Sequence, residues 1–230
     1  TPIPRSLMLT CFGDLDKSII DELPPGRIPA LTRYSRSYSM QKVYGFCLKK
    51  LKQGQQIYFV YPLVEESEKL DLQAALQSWE YMKDTVFQDY SVGLVHGKMT
   101  AKEKSEVMDD FRENKIQILV STTVIEVGID VPNATVMIIN HAERFGLSQL
   151  HQLRGRVGRG QKEAYCFLVG DPRNDIAKQR IKAMLDTTDG FKIAEKDLMI
   201  RGPGDMLGTR QSGLPNFKMA NLIKDEKVLV

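Results

Sequence analysis

Between Met40 and Val169 the chain alternates short apolar runs with segments whose apolar residues recur every three to four positions, and nothing else limits its fold so sharply. Ile57–Tyr61, Ser91–Val95, Ile116–Val120, Ala134–Ile139 and Ala164–Val169 read as strands. Between them, Val43, Phe46, Cys47 and Leu51 predict a helix from Met40, closed by Gly54, and residues 70–82 predict a second. A third is expected over 100–111, where Thr100 and Glu103 have capping-box spacing and Val107, Met108 and Phe111 share a face. Strands separated by helices of this length cannot pair as hairpins, so an α/β fold follows: a mostly parallel sheet with helices on both faces. Ligands of such sheets sit beyond the carboxyl ends of the strands, where the loops at Ser121 and His141 are expected.

Three segments are expected. Residues 1–28 form a connector: the chain opens on Thr1-Pro2-Ile3-Pro4-Arg5, which reads as a cut and not a start, and passes a short apolar helix and Ser18-Ile19-Ile20 to the breaker Pro24-Pro25-Gly26. Residues 29–172 hold the sheet. Beyond Asp171-Pro172, Ile176, Ile181 and Leu185 mark one helix, and Phe191, Ile193, Leu198 and Ile200 a second after a turn at Asp189-Gly190. With Gly202, Pro203, Gly204, Gly208 and Gly213 following, residues 173–230 read as a helical hairpin and an extended loop packed outside the sheet.

At 230 residues and 42% apolar content the chain can bury one substantial core. A net charge of +3 permits a nucleic-acid partner without demanding one. Cys11, Cys47 and Cys166 are odd in number and far apart, which suits buried thiols in a reducing compartment. His96, His141 and His151 are scattered, so no metal site is expected. No apolar run approaches the ~20 residues that span a bilayer, so a cytoplasmic protein without a membrane partner is expected.

Two stretches carry chemistry. Projected as a helix starting after Ser148 and stopping at Gly160, the string Gln152–Arg159 puts Leu150, Leu153 and Val157 on one side, with Gln152, Arg156 and Arg159 within roughly 60° of each other opposite. Glycine inside a helix costs about 1 kcal/mol, so Gly155 and Gly158 imply that something approaches this backbone. Paired guanidiniums there suit a polyphosphate; a basic surface helix is the plainer reading. In the second stretch, residues 121–132, a strand ends in Ser121, Thr122 and Thr123, and Gly128 frees Asp130 to accept a bond from a ribose hydroxyl. A capped turn with a solvated aspartate is the alternative. Gly93–Lys98 is one residue short of a phosphate-binding Walker loop, and Met99 stands where Ser or Thr would ligate magnesium. No other segment supplies that loop or an acidic magnesium site.

The pattern QxxGRxxR over residues 152–159 resembles motif VI of the superfamily 2 helicases and translocases, and residues 121–132 resemble motif V. Thr1–Arg5 resembles the tail of motif III, which closes the first motor domain. The resemblance implies the second, RecA-like motor domain of an ATP-dependent enzyme. Arg156 and Arg159 would reach the γ-phosphate; Gln152, Gly128 and Asp130 would face the nucleotide and Thr122 the nucleic-acid backbone. ATP and Mg would be held mainly by a first motor domain in the same polypeptide, so the chain alone is expected to be inactive.

Phe191–Leu198, Arg201-Gly202-Pro203-Gly204-Asp205, Leu207-Gly208 and Gln211-Ser212-Gly213 resemble the translocation motif shared by the RecG and transcription-repair coupling factor families. Pro203 and the Gly-Arg-Gly around Arg159 favour the RecG family; Asp205 stands where glutamate is usual. That family implies a monomeric DNA helicase of the bacterial cytoplasm and nucleoid that acts on branched double-stranded DNA, namely stalled forks and Holliday junctions, with Arg201 and Gln211 linking motor closure to DNA. A coupling-factor motor domain and a non-catalytic module with a motor-like sheet are the alternatives.

Overall fold

The computed structural model of the chain describes residues 28–63, 68–122, 131–160 and 162–201. Six strands form one sheet: β1 (Leu31–Ser35), β2 (Gln56–Tyr61), β3 (Val92–Val95), β4 (Ile118–Thr122), β5 (Ala134–Ile139) and β6 (Tyr165–Val169). Their order is β1-β6-β5-β2-β4-β3, and every neighbouring pair is parallel. Helices α1 (Met40–Lys52), α2 (Glu68–Tyr81), α3 (Ala101–Arg112) and α4 (Leu147–Arg154) lie in the connections. Every residue of β2, β4, β5 and β6 is buried, as strands covered on both faces require.

Side chains alternate to the two faces with period two. Ile57, Phe59, Ile118, Val120 and Ile138 pack under Val43, Cys47 and Leu51 of α1, Ala75 of α2, and Met82 in the π turn Met82–Val86 that ends α2. Tyr58, Leu119, Met137 and Cys166 join the opposite cluster with Met108 and Phe111 of α3 and Leu150 of α4. Helices α5 (Asp175–Asp186) and α6 (Gly190–Arg201) complete that face, Ile181, Met184 and Ile193 entering the same core.

Local signals set the ends of these elements. Gly54 closes α1 at φ 72, a conformation that disfavours any residue with a Cβ. At α3, Thr100 Oγ1 accepts from the Glu103 amide at 3.3 Å and the Thr100 amide donates to Glu103 Oε2 at 2.7 Å, the expected capping box. Asn174 Oδ1 accepts from the Ala177 amide at 2.8 Å to start α5, and Asp189 Oδ1 accepts from the Phe191 amide at 2.8 Å to start α6.

The structure departs from expectation in strand β1 and in the faces of α5 and α6. Strand β1 was not anticipated, because Leu-Thr-Arg-Tyr-Ser is a sheet edge with no apolar run. In α5, Ile176 is 49% and Leu185 44% exposed, and the face turned inward is Ala177, Ile181, Ala183 and Met184. Phe191 of α6 is likewise largely exposed. Cys47 and Cys166 are buried, and burial pushes the Cys166 thiol up to about 12. Cys11, the connector before residue 28 and the loop from residue 202 lie outside the described residues. Among the described residues no helix is long and apolar enough to cross a membrane.

Candidate functional site

The arginine string is not one helix. Helix α4 starts two residues earlier than Ser148 suggests: Gly146 caps it, its amide donating to Gln149 Oε1 at 3.0 Å. Ser148 instead donates through Oγ to Asp197 Oδ2 of α6 at 3.1 Å. The helix ends at Arg154, with Gly155 as C-cap, and tightens through Arg156 N–H to the Leu153 carbonyl at 3.0 Å. Arg156 and Arg159 therefore stand on the turn after the helix and share no helical face with Gln152, which lies in its last turn.

Gly158 is required by the chain's own packing. Gly158 has φ 76, and a Cβ on it would lie 3.2 Å from the Ile28 carbonyl oxygen and 3.1 Å from Ala164 Cβ. Gly155 is no interior glycine, so the cost that drew attention to it does not arise. A Cβ on Gly160 would come within 3.1 Å of the Pro132 carbonyl oxygen, so the turn presses on the residues that lead into β1, β5 and β6.

The arginine turn thus sits at the amino end of the sheet. Arg156 is half-buried and Arg159 exposed. Thr122, the last residue of β4, is at the opposite, carboxyl end of the sheet, and β4 lies two strands from β5. The structure therefore does not bring Thr122 to the arginines. The tail of its motif does return: Val131-Pro132 leads into β5 beside Gly160. Gly128, Asp130 and Gln211 lie outside the described residues; Arg201 is the last residue of α6.

Buried polar atoms collect at the carboxyl end. Among the described residues, Thr122 Oγ1, Asn140 Nδ2 after β5 and His96 Nδ1 after β3 have no hydrogen-bond partner. Burial and the nearby Lys104 charge push the His96 imidazole below its usual range. His141, the other residue expected here, is exposed and left-handed at φ 50.

Arg154, which the sequence reading passed over, is the buried arginine of the string, 4% exposed. Its Nη1 donates to Thr32 Oγ1 in β1 at 3.2 Å and to the Met184 and Thr187 carbonyls at the end of α5, each at 3.0 Å. Its Nη2 lies 2.9 Å from His151 Nδ1. A guanidinium can only donate, so Nδ1 accepts and the imidazole is neutral. Burial first, then the Arg154 charge, push His151 down to about 4. One signal was available: on a helix Arg154 falls about 40° from Leu150, a charge on the apolar side. A second tie is Arg144, bidentate to Asp71 at 2.6 and 2.9 Å, which joins α2 to the turn after β5.

Arginine donors at the amino end fit phosphate oxygens. Magnesium is not matched in the same way: among the described residues no group of three or more His, Cys, Asp or Glu is placed to hold a metal ion.

Residues 39–161 match the helicase conserved C-terminal domain family, and residues 187–230 match the C-terminal part of domain 3 of ATP-dependent DNA helicase RecG. The chain is 52% identical over its full length to ATP-dependent DNA helicase RecG of Synechocystis and 50% identical to that of Bacillus subtilis, covering 28% and 34% of those proteins. Over 98% of its length it is 54% identical to the Aquifex aeolicus protein of the same name, 29% of which it covers. The chain thus spans about a third of the curated relatives it matches. A solved structure of RecG bound to a three-way DNA junction superposes over the whole chain with TM-score 0.77 and 50% identity, the chain covering 29% of that protein.

Proposed function

This chain belongs to the helicase conserved C-terminal domain family, and on that premise we propose that it is the second motor half of an ATP-dependent duplex-DNA translocase of the RecG type. One observation carries the reading: the arginine turn and Thr122 occupy opposite ends of a single parallel sheet. A rigid sheet with a phosphate-binding turn at one end and a nucleic-acid contact at the other converts closure at the first into displacement at the second.

In this reading Arg156 and Arg159 donate to the γ-phosphate oxygens of ATP, with Gln152, Gly128 and Asp130 beside the nucleotide. Bound ATP supplies the free energy of phosphoryl transfer, and Mg is held with it by a first motor domain of the same polypeptide. Thr122 contacts the DNA backbone, and Arg201 and Gln211 pass motor closure to the DNA. Branched double-stranded DNA is the substrate, as forks and Holliday junctions; identity to RecG proteins over the full chain and a junction-bound relative support this. The match of residues 187–230 favours RecG over the coupling factor. The protein works as a monomer, in the bacterial cytoplasm with the nucleoid.

Fork unwinding tests the proposal. The full protein is expected to separate a forked duplex only with ATP and Mg, while residues 1–230 alone hydrolyse ATP no faster than buffer. A full protein whose ATP turnover ignores forked DNA would refute it.

A further inference from the structure

Helix α1 carries a surface that neither the fold nor the motor reading uses. Its outward line is Lys42, Gly45, Lys49 and Lys52, at spacings of three, four and three residues that put all four on one side. All are exposed, and at 1.5 Å per residue they span about 15 Å. The helix has no acidic residue. Among the described residues no ion pair or hydrogen bond engages Lys42, Lys49 or Lys52. Lys50 belongs elsewhere, its Nζ lying over the Tyr165 ring, 4.8 Å from the centroid.

Two of the four positions work against the helix that bears them. Glycine is the poorest helix former after proline, yet Gly45 sits mid-helix, where a Cβ would meet nothing within 4 Å. Internal packing therefore does not explain it, unlike Gly158. Lys42 stands in the first turn, where a cation opposes the helix dipole; Lys49 and Lys52, in the last turn, suit it. The four positions carry no apolar side chain, and the exposed Tyr38 stands beyond the Lys42 end, so the ridge lacks the apolar centre of a protein interface. Lysine charges flanking a bare stretch of backbone instead fit a phosphate chain, which comes closest where no side chain intervenes.

We propose that the Lys42–Gly45–Lys49–Lys52 ridge of α1 is a sequence-independent docking surface for the sugar-phosphate backbone of duplex DNA, distinct from the Thr122 contact. It rests on the duplex-DNA reading above and adds a second contact to it. Such a contact keeps the motor on the duplex while the sheet-end contact is released.

The test uses the full protein, a K42Q/K49Q/K52Q variant and a Gly45→Leu variant, each titrated with two duplexes of unrelated sequence across a salt series. Glutamine keeps helix propensity, so the triple variant folds. Each lost lysine–phosphate contact removes about 0.9 from the slope of log affinity against log salt, so the triple variant should lose about 2.7 on both duplexes. At 0.15 M salt that corresponds to about 10²-fold weaker binding. Gly45→Leu should melt higher than wild type yet bind both duplexes more weakly, opposite signs that a purely structural glycine does not give. An unchanged slope, or a Gly45→Leu protein that binds as wild type, overturns the ridge and spares the translocase reading wherever wild type binds duplex. A wild-type protein that binds neither duplex overturns both.

Discussion

Replacing Arg154 with methionine removes the donors that hold α4 to β1 and to the end of α5, and the cost follows from what is left behind. The Met184 and Thr187 carbonyls each lose a donor at 3.0 Å. A buried acceptor stripped of its donor costs about 1–3 kcal/mol. Methionine keeps the packing of the stem and no longer desolvates a guanidinium, which offsets part of that, so a net loss of about 2–5 kcal/mol is expected. In a chain of this size that lowers the melting midpoint by roughly 4–20 °C. Arg154→Lys should fall between the two, since one ammonium cannot reach acceptors on β1, α5 and His151 together. Urea unfolding should show a lower midpoint at an unchanged slope. His151 should titrate above its present value of about 4 by NMR, having lost the adjacent charge. A stability change under about 0.5 kcal/mol, with His151 still near 4, would refute the anchoring role.

Three further outcomes are expected. The folded His151 pKa of about 4 lies below its ordinary 6.5, so the unfolded chain binds more protons between those values and stability falls as pH falls through that window. About 1.4 kcal/mol should be lost between pH 8 and 5.5, a loss that His151→Gln abolishes; equal acid sensitivity in the variant would exclude this histidine as the cause. Asp71→Asn breaks a bidentate pair whose carboxylate is 8% and guanidinium 33% exposed, and should cost about 1–2 kcal/mol in thermal unfolding; no change would mean the pair is neutral to the fold. In the full protein, Gln211→Ala should leave fork binding and basal ATP hydrolysis intact while lowering base pairs unwound per ATP; an unchanged ratio would make that loop structural.

The elements whose apolar pattern is strong were legible in sequence. β2, β5 and α3 fall within two residues of their expected bounds, because continuous apolar runs and a capping box are local signals. β1 was not legible, since a sheet edge needs no apolar run and its place is set by pairing with β6, 136 residues away for the Tyr34 hydroxyl bond to the Gly170 carbonyl. At the site, the residue types were readable and the geometry was not. A periodic projection carried Gln152, Arg156 and Arg159 onto one face, but the chain leaves the helix at Gly155 because Gly158 must turn past Ile28 and Ala164, a constraint from distant residues. Arg154 was not legible for a related reason: two of its acceptors are carbonyls about thirty residues on, and backbone carbonyls leave no mark in a sequence.

Whether the arginine turn at the amino end of the sheet serves ATP turnover and not DNA binding is decided by one comparison in the full protein. Steady-state ATP hydrolysis on saturating forked DNA is measured for wild type, Arg156→Ala and Arg159→Ala, with fork affinity measured on the same samples. Arginines that stabilise a transferring phosphoryl group are worth about 10³ to 10⁵ in rate, so turnover should fall by that order while fork affinity stays within a few-fold of wild type. Turnover that survives at saturating DNA, with fork affinity lost, would place the arginine turn on the DNA and contradict the account.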